Sequence, residues 1–319
     1  MRKIDGFLFI GDPHISSKKP GRRKDVDFSS VIIDKLDQAI KIANDKNYLP
    51  VILGDLFNRP KEDSESVKAR TIRCLSQSKH KAVCLVGNHD ITHAKLSDDD
   101  SLNLLGDSGV IDLIETSGRF DVFNVGDSFI GLGGTPYGQD IPNSVEDLFP
   151  ENLKTVIWIT HHDIAFEGSY PGSKDAHEIN GCKLVVNGHM HLTKKTLKVG
   201  DTTWFNPGNI TRQALDAIQH IPRVWEFSSD GKLKPIELNY EKDVFDLTGR
   251  LVDIQEPEKE NLDSVFVRLM EVETSSEMKK TDDGSVIFEN IQEKFERENT
   301  DAKIKNIIIN LLSEVTENT

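Results

Sequence analysis

The chain has 319 residues and a formal net charge of −14, and its length suits one large domain with an appendage or two domains. No apolar run approaches the ~18 residues of a membrane span, and Asp5 interrupts the N-terminal candidate for a signal segment. We therefore expect a cytoplasmic protein without a membrane partner. The negative charge excludes nucleic-acid binding through a broad cationic face, so any polyanion must be met locally.

The cysteines do not suggest a disulfide framework or a thiolate zinc site. Cys74, Cys84 and Cys182 are odd in number and show no Cys-x-x-Cys spacing. We expect three buried free thiols.

The first part of the chain predicts a strand, a helix and a second, parallel strand. Apolar runs at 7–10 and 49–53 flank an amphipathic pattern at 26–47, in which apolar residues recur at three and four positions. Asp27 or Ser29 is the expected N-cap. A strand-helix-strand unit of this kind favours parallel strands.

A basic loop lies between the first strand and this helix. Its cations are Lys18, Lys19, Arg22, Arg23 and Lys24. A charge run is usually a solvated surface loop. Because this one directly follows Asp12 and His14, contact with a nucleic-acid backbone is an equal candidate.

The rest of the first 242 residues predicts further strands and short helices. A helix is expected at 66–78, a short helix, turn and strand at 97–114, and a hairpin at 119–136, whereas 133–138 is too rich in Gly and Pro for regular structure. Strands are expected at 195–198, 202–205 and 223–227, with a hairpin turn at 229–232. The first half favours parallel strands and the second antiparallel ones, which predicts an α/β fold of two facing mixed sheets flanked by helices.

Residues 243–319 differ in character and predict a small α+β extension. Strands are expected at 247–254 and 265–272, and helices at 286–298 and 303–315. The last helix has one apolar stripe, formed by Ile304, Ile307, Ile308, Leu311, Leu312 and Val315. The stripe either packs on its own domain or docks a partner.

Five apolar runs each end in Asp, Asn or His. These ends are Gly11-Asp12-Pro13-His14, Gly54-Asp55, Gly87-Asn88-His89-Asp90, His161-His162 and Gly188-His189-Met190-His191. Any one of them could be an ordinary turn, with Asn88 or Asp90 as a helix cap. Five together indicate a site, because loops at the carboxyl ends of strands converge in α/β sheets.

This ordered set resembles the calcineurin-like metallophosphoesterase superfamily over about residues 4–240. The resemblance implies two divalent ions and the superfamily's two-sheet sandwich. One ion would lie between Asp12, His14, Asp55 and His191. The other would lie between Asp55, Asn88, His161 and His189, with Asp55 bridging. His162 is the alternative to His161, which we favour because it comes first after the strand.

The candidate ligands are all oxygen or imidazole nitrogen, which suits Mn, Fe, Zn or Mg, and we expect Mn²⁺. Such sites use a hydroxide activated by both ions to attack phosphorus. The resemblance implies that His89 is the general acid beside the leaving group and that Asp90 orients and charge-stabilises His89.

Within the superfamily, the Gly54-Asp55-Leu56-Phe57 block and the C-terminal extension resemble the SbcD-type nuclease subunits of DNA repair and recombination. The resemblance implies DNA as substrate, exonuclease or endonuclease activity, and an SMC-like ATPase of the SbcC type as partner. Residues 243–319 would then be a compact, phage-type version of the cap and docking helices. A second copy of the chain is another candidate partner. One departure is Asn58, where many members carry His, which weakens the case for exonuclease-type strand handling.

Two alternatives stay open. The first is a phosphatase or small-molecule phosphodiesterase. The phosphatase pattern Gly-Asp-x-x-Asp-Arg-Gly is kept at Gly54, Asp55 and Arg59, but its second Asp and final Gly are replaced by Asn58 and Pro60. The second is a non-catalytic scaffold. A scaffold would be expected to have lost ligands, and every ligand position here is filled.

Overall fold

The computed structural model describes residues 2–247, which form two β-sheets with helices against one of them. The helices are α1 (Phe28–Lys46), α2 (Glu65–Leu75) and α3 (Ser101–Asp107). The strands are β1 (Lys3–Ile4), β2 (Gly6–Ile10), β3 (Tyr48–Ile52), β4 (Ala82–Leu85), β5 (Ile111–Ile114), β6 (Gly118–Val125), β7 (Ser128–Thr135), β8 (Thr155–Thr160), β9 (Leu184–Asn187), β10 (Leu197–Val199), β11 (Thr202–Phe205), β12 (Arg223–Ser228) and β13 (Leu233–Glu237). Short 3₁₀ turns lie at Asn88–Asp90, Glu146–Leu148 and Leu215–Ala217.

Both sheets are mixed, as predicted. One sheet has the order β13-β12-β2-β3-β4-β5, and its strands β2 to β5 are parallel. The other has the order β1-β6-β7-β8-β9-β11-β10. In this second sheet β7, β8, β9 and β11 are mutually parallel, so the expectation that the second half would be antiparallel is only partly right. It holds for the pairs β10–β11 and β12–β13.

The predicted first helix is confirmed, and its ends follow from local chemistry. The Asp27 side chain caps α1 by accepting a hydrogen bond from the backbone N–H of Ser30. At the other end Asn47 adopts a left-handed conformation with φ of 55°, a role that Asn fills more readily than most residues. The helix then leads directly into β3, which is parallel to β2.

The apolar side chains form two main layers around the six-stranded sheet. Leu8, Ile52 and Cys84 on one face pack with Leu36 and Ile40 of α1. The opposite face packs against the seven-stranded sheet in a cluster that includes Phe7, Phe9, Val51, Val83, Ile157, Ile159 and Val186. Because both faces are buried, β2, β3 and β4 are continuous apolar runs rather than alternating ones.

Two glycines that we predicted to be irregular belong to a strand. Gly133 and Gly134 lie in β7, paired with Trp158 and Ile159 of β8. A Cβ atom on Gly133 would overlap the Trp158 ring and would lie 2.7 Å from the carbonyl oxygen of Gly118. Glycine at this position therefore reflects close packing of neighbouring side chains rather than a turn.

The chain beyond β13 packs back onto the basic loop. Phe245 forms an isolated antiparallel bridge with Arg23, and Val244 and Phe245 are buried. The predicted strands and helices after residue 247, the apolar stripe and most of the predicted extension lie outside the described residues. Cys74, Cys84 and Cys182 are buried and free, as expected. Among residues 2–247, no helix has the length and apolarity to cross a membrane.

The packing around Gly133 yields a test of the fold. Gly133→Ala should lower the free energy of unfolding by about 1–3 kcal/mol, because overpacking forces neighbouring groups to shift. Gly118→Ala is the matched control, since a Cβ there meets nothing within 4 Å, and should change stability by less than about 0.5 kcal/mol. Urea unfolding of both variants measures this, and equal effects would contradict the packing argument.

Candidate metal centre

The candidate ligands are brought together by the ends of strands from both sheets. Asp12 and His14 follow β2, Asp55 follows β3, and Asn88 follows β4, all at the same edge of one sheet. The other sheet supplies the three remaining histidines after its neighbouring strands β8 and β9, namely His161, His189 and His191. All seven predicted ligand residues therefore converge at one edge of the sandwich.

Glycines before the ligands allow the loops to approach this closely. A Cβ on Gly87 would overlap the Asp55 carboxylate. A Cβ on Gly188 would lie 2.8 Å from Asp12 Oδ1 and 2.9 Å from His161 Nδ1. The recurring glycine in these motifs thus leaves room for the donor atoms of neighbouring loops.

The backbone is strained where the ligands lie. Four of them have positive φ, with values of 29° at Asp12, 48° at His14, 48° at Asp55 and 70° at His189. Non-glycine residues rarely adopt this region, and such conformations concentrate at functional sites. The left-handed turns point side chains from short loops toward one place.

The first group of donors is Asp12, His14 and His191, whose ligand atoms lie within 4.8 Å of one another. His14 Nε2 is 3.0 Å from His191 Nε2 and 3.6 Å from Asp55 Oδ2. These three residues belong to the set of four that the sequence resemblance implied for one ion, and the fourth, Asp55, lies beside His14.

The second group is Asp55, His161 and His189, also within 4.8 Å of one another. Asn88 Oδ1 lies 3.1 Å from His161 Nε2 and 2.9 Å from His189 Nδ1. Asp55 Oδ2 lies 3.2 Å from His161 Nε2. Asp55 Oδ2 is therefore close to donors of both groups, whereas its Oδ1 accepts the His89 backbone N–H at 2.9 Å.

The donors fit divalent ions. Both Asp12 oxygens and Asp55 Oδ2 are buried and have no hydrogen-bond donor, which would be costly unless a cation compensates. Donor atoms at about 2.1 Å from an octahedral ion lie about 3 Å apart, close to the separations of 2.9–3.2 Å measured here. Oxygen and imidazole donors suit Mn, Fe, Zn or Mg.

Burial and neighbouring charges shift the pKa values of these groups in both directions. It holds the pKa of His14 well below its usual value and lowers that of His191 to about 4, so both imidazoles are neutral and offer lone pairs. Burial also raises the pKa of Asp12 to about 6. Burial opposes the charge on His161, but the Asp55 carboxylate outweighs it and raises the pKa of His161 to about 10. A proton and a metal ion thus compete for His161 Nε2.

His89 lies against the site, but Asp90 does not orient it. His89 Nδ1 is 2.9 Å from the carbonyl oxygen of Asn58, and its ring packs edge-on against His14 with centroids 4.9 Å apart. The buried Asp90 carboxylate instead accepts the backbone N–H groups of Gly87 and Phe57. The predicted contact between Asp90 and His89 is therefore wrong, because the Asp90 oxygens accept backbone N–H groups of its own turn and of the neighbouring loop at Phe57.

Asp90 braces the Asn88–His89 turn, and its pKa is raised to about 7 by burial and by the charge of Asp55.

The contact with Asn58 determines the tautomer of His89. The Asn58 carbonyl can only accept a hydrogen bond, so Nδ1 of His89 carries the proton and Nε2 is left for another partner. Asn58 stands where many family members carry His, but its backbone carbonyl still orients His89.

The choice between the paired histidines is decided by their surroundings. His161 belongs to the second donor group, with Nδ1 donating to the carbonyl of Leu53 at 2.8 Å. His162 Nε2 is 2.9 Å from the carbonyl of Gln139, and burial lowers the pKa of His162 to about 4. Among the described residues, the geometry groups His161 and not His162 with the other donors.

Sequence reasoning missed Asp163 and Tyr170. Asp163 Oδ2 is 3.1 Å from His189 Nε2, and the Tyr170 hydroxyl donates to Asp163 Oδ1 at 2.7 Å. The position of Asp163 directly after His161-His162 was the one available signal, since a carboxylate there can reach a neighbouring ligand.

The basic loop is not a uniform cationic surface. Arg23 is 3% exposed; it donates to the Asp25 carboxylate and to the carbonyl of Arg212. Its predicted contact with nucleic acid is wrong, because aromatic rings of Phe28 and Phe245 flank its guanidinium and close it from solvent.

The other cations of the loop are exposed or partly exposed. All four, Lys18, Lys19, Arg22 and Lys24, stay predicted DNA contacts. Three of them already contact oxygen atoms: Lys18 with Asp63 at 3.7 Å, Lys24 with Asp243 at 2.8 Å, and Arg22 with the carbonyl of Asp246 at 3.2 Å. Part of the loop's charge is therefore neutralised within the protein.

The calcineurin-like phosphoesterase family model matches residues 6–192, more than half of the 319 residues. The chain therefore belongs to the calcineurin-like phosphoesterase family, which makes it a hydrolase by family, and members of the family typically bind two divalent metal ions. A comparison with curated proteins finds no significant match.

The solved structures that this chain matches share little sequence with it. NAD nucleotidase (NadN) of Haemophilus influenzae is 13% identical over 72% of this chain and 48% of that chain, with a TM-score of 0.42. A 5'-nucleotidase precursor from Thermus thermophilus is 12% identical over 73% of this chain and 54% of that chain, with a TM-score of 0.42. A hypothetical protein from the same organism is 10% identical over 73% of this chain and 98% of that chain, with a TM-score of 0.40. The chain spans about half the length of the first two, and we infer no activity from them.

The two donor groups predict how single substitutions change metal content. His161→Ala should reduce the bound Mn²⁺ from two ions per chain to one, because it removes a donor of the second group. His162→Ala should keep two, since its ring contacts a carbonyl outside both groups. Mass-spectrometric metal analysis after gel filtration measures this, with circular dichroism to confirm folding. Loss of an ion in the His162 variant alone would reverse the assignment.

The buried ion pair Arg23–Asp25 predicts a pH-dependent stability. The two side chains are 1% and 8% exposed, and Arg23→Ala should cost about 3–5 kcal/mol, because it leaves a buried carboxylate unpaired. Burial opposes ionisation of Asp25, but Arg23 outweighs it and lowers the pKa of the carboxyl. The pair therefore stabilises the fold above the unfolded-chain pKa of about 3.9, and this contribution is lost as the pH falls further.

Urea unfolding at neutral pH and at low pH tests this prediction. Lys19→Ala, an exposed residue of the same loop, should stay within about 0.5 kcal/mol of wild type. An Arg23→Ala variant as stable as the Lys19 variant would show that Arg23 is not a structural residue.

Proposed function

We propose that the protein is a two-metal phosphodiesterase that acts on DNA, as a nuclease of repair or recombination. The observation that carries the proposal is the position of Asp55 Oδ2 between two donor groups, with His89 beside them. His14, Asp55 and His89 also place ligand atoms within 4.8 Å of one another. The proposed general acid and the two proposed ion sites would therefore be adjacent.

The first ion would be held by Asp12, His14, Asp55 and His191, and the second by Asp55, Asn88, His161 and His189. Bound divalent ions would lower the pKa of water and offset the charge on phosphoryl oxygens. The edge of the site that substrate can reach is formed by residues that are only partly buried: Asn88, His89, His189 and His191.

His89 is suited to protonate the leaving group. Asn58 occupies Nδ1, so the free nitrogen is Nε2, and the backbone N–H of His89 is fixed by Asp55 Oδ1. A protonated imidazole in this orientation donates its Nε2 proton to the departing oxygen, which avoids the release of an alkoxide.

DNA is proposed as substrate on the resemblance to the SbcD-type branch and on the cations near the site. Lys18 and Lys19 lie in the loop that follows Asp12 and His14, and both are exposed. Manganese is the proposed ion, and an SMC-like ATPase of the SbcC type is the proposed partner; the helix predicted to dock it lies outside the described residues.

A small phosphodiester or phosphomonoester is the second candidate substrate. The observation that favours it is the burial of Arg23 together with the net charge of −14, because the first removes a cation from the basic loop and the second disfavours binding of a long polyanion. The two candidates differ in the substrate and share the metal centre.

Cleavage assays with two kinds of substrate test the proposal. Wild type should cut an end-labelled linear duplex or a circular single strand with Mn²⁺ and should be inactive with chelator. His89→Asn should lower the rate on DNA by about 10²–10⁴-fold, the usual contribution of a general acid. The loss should be much smaller on bis(p-nitrophenyl) phosphate, because p-nitrophenolate departs without a proton.

His80→Asn is the control for this experiment, since His80 is partly buried away from the donors and contacts Asn47. Hydrolysis of the model diester without cleavage of either DNA would contradict the nuclease proposal and favour a small-molecule phosphodiesterase. Equal losses on both substrates in His89→Asn would contradict the general-acid role.

A further inference from the structure

The segment between His162 and Asp175 forms a folded loop beside the second donor group. Its two sides are joined by a bridge between Ile164 and Lys174, and the backbone N–H of Lys174 donates to the Asp163 carbonyl at 2.8 Å. Tyr170 lies on this loop, and its hydroxyl donates a hydrogen bond to the Asp163 carboxylate. The loop therefore presents one carboxylate oxygen to His189 and the other to its own tyrosine.

The contact with Asp163 determines which nitrogen of His189 is free. An ionised carboxylate accepts only, so His189 Nε2, at 3.1 Å from Asp163 Oδ2, must carry the proton. The lone pair is then on Nδ1, the atom that lies 2.9 Å from Asn88 Oδ1 in the second group. Asp163 thereby selects the tautomer in which Nδ1 can act as a ligand.

His189 differs in this respect from its neighbours. Nδ1 of His161 and of His89 is held by backbone carbonyls, those of Leu53 and Asn58. In His189, by contrast, the nitrogen that faces away from the second group contacts an ionisable side chain, that of Asp163. Its backbone is also strained, with φ of 70°.

We propose that Asp163 is a positioning residue for the second ion: it fixes the tautomer and orientation of His189, and Tyr170 holds the carboxylate in place. The inference rests on the proposed two-metal centre. It predicts selectivity, because Asp163 contacts His189, a ligand residue of the second group. Removing Asp163 should weaken one ion and spare the other.

Calorimetric titration of the metal-stripped 319-residue chain with Mn²⁺ tests this. In Asp163→Ala the dissociation constant of the second ion should rise by about 10–100-fold, the usual effect of losing such a partner, and that of the first should be unchanged. Asp163→Asn should recover part of the affinity, because its amide oxygen still accepts from Nε2–H. Electron paramagnetic resonance should show an uncoupled Mn²⁺ signal in place of the coupled pair.

Asp175→Asn is the matched control. Asp175 lies on the same loop, and its carboxylate accepts a hydrogen bond from the Ser169 hydroxyl rather than from a metal-ligand histidine. It should bind both ions as wild type does. Tyr170→Phe should weaken the second ion less than Asp163→Ala, and the double variant should match Asp163→Ala alone, because the tyrosine acts through the carboxylate.

Three results would overturn the inference: unchanged affinity in Asp163→Ala, an equal loss for both ions, or a lower melting temperature of the metal-free variant, which would indicate a structural role. Failure of the proposed metal centre is distinguishable, because wild type would then bind fewer than two ions before any variant is compared.

Discussion

The structure depends on the concentration of electron pairs around Asp55 Oδ2. Two carboxylates, an amide oxygen and several imidazoles meet there with almost no hydrogen-bond donors, in a place where Asp12, His14 and His161 are at most 1% exposed. Such a group repels itself unless positive charge is present. Three features hold these atoms together: the glycines before the ligands, the left-handed turns, and the meeting of strand ends from the two sheets at one edge.

Much of this was predictable because it is local. Each ligand follows an apolar strand by one to four residues, so the strand pattern and the motif together place its side chain at one edge of a sheet. The helix α1 was predictable for the same reason, from the spacing of apolar residues and from the cap at Asp27.

What could not be predicted depends on contacts between distant parts of the chain. From the sequence, Arg23 resembles a surface cation, but in the structure the segment around Phe245 covers it. Gly133 resembled a turn residue because its neighbour Trp158 is distant in sequence. The family resemblance implied a contact of Asp90 with His89, whereas the Asp90 oxygens accept backbone N–H groups of two different loops.

The left-handed conformations of Asp12, His14, Asp55 and His189 have a consequence for how the protein can change. Each such residue costs about 1–3 kcal/mol relative to glycine or a relaxed backbone. Stability and metal binding therefore make opposite demands on these four positions. A selection for thermal stability alone, carried out without metal, would favour glycine at them and would remove the metal centre from an otherwise better-folded protein.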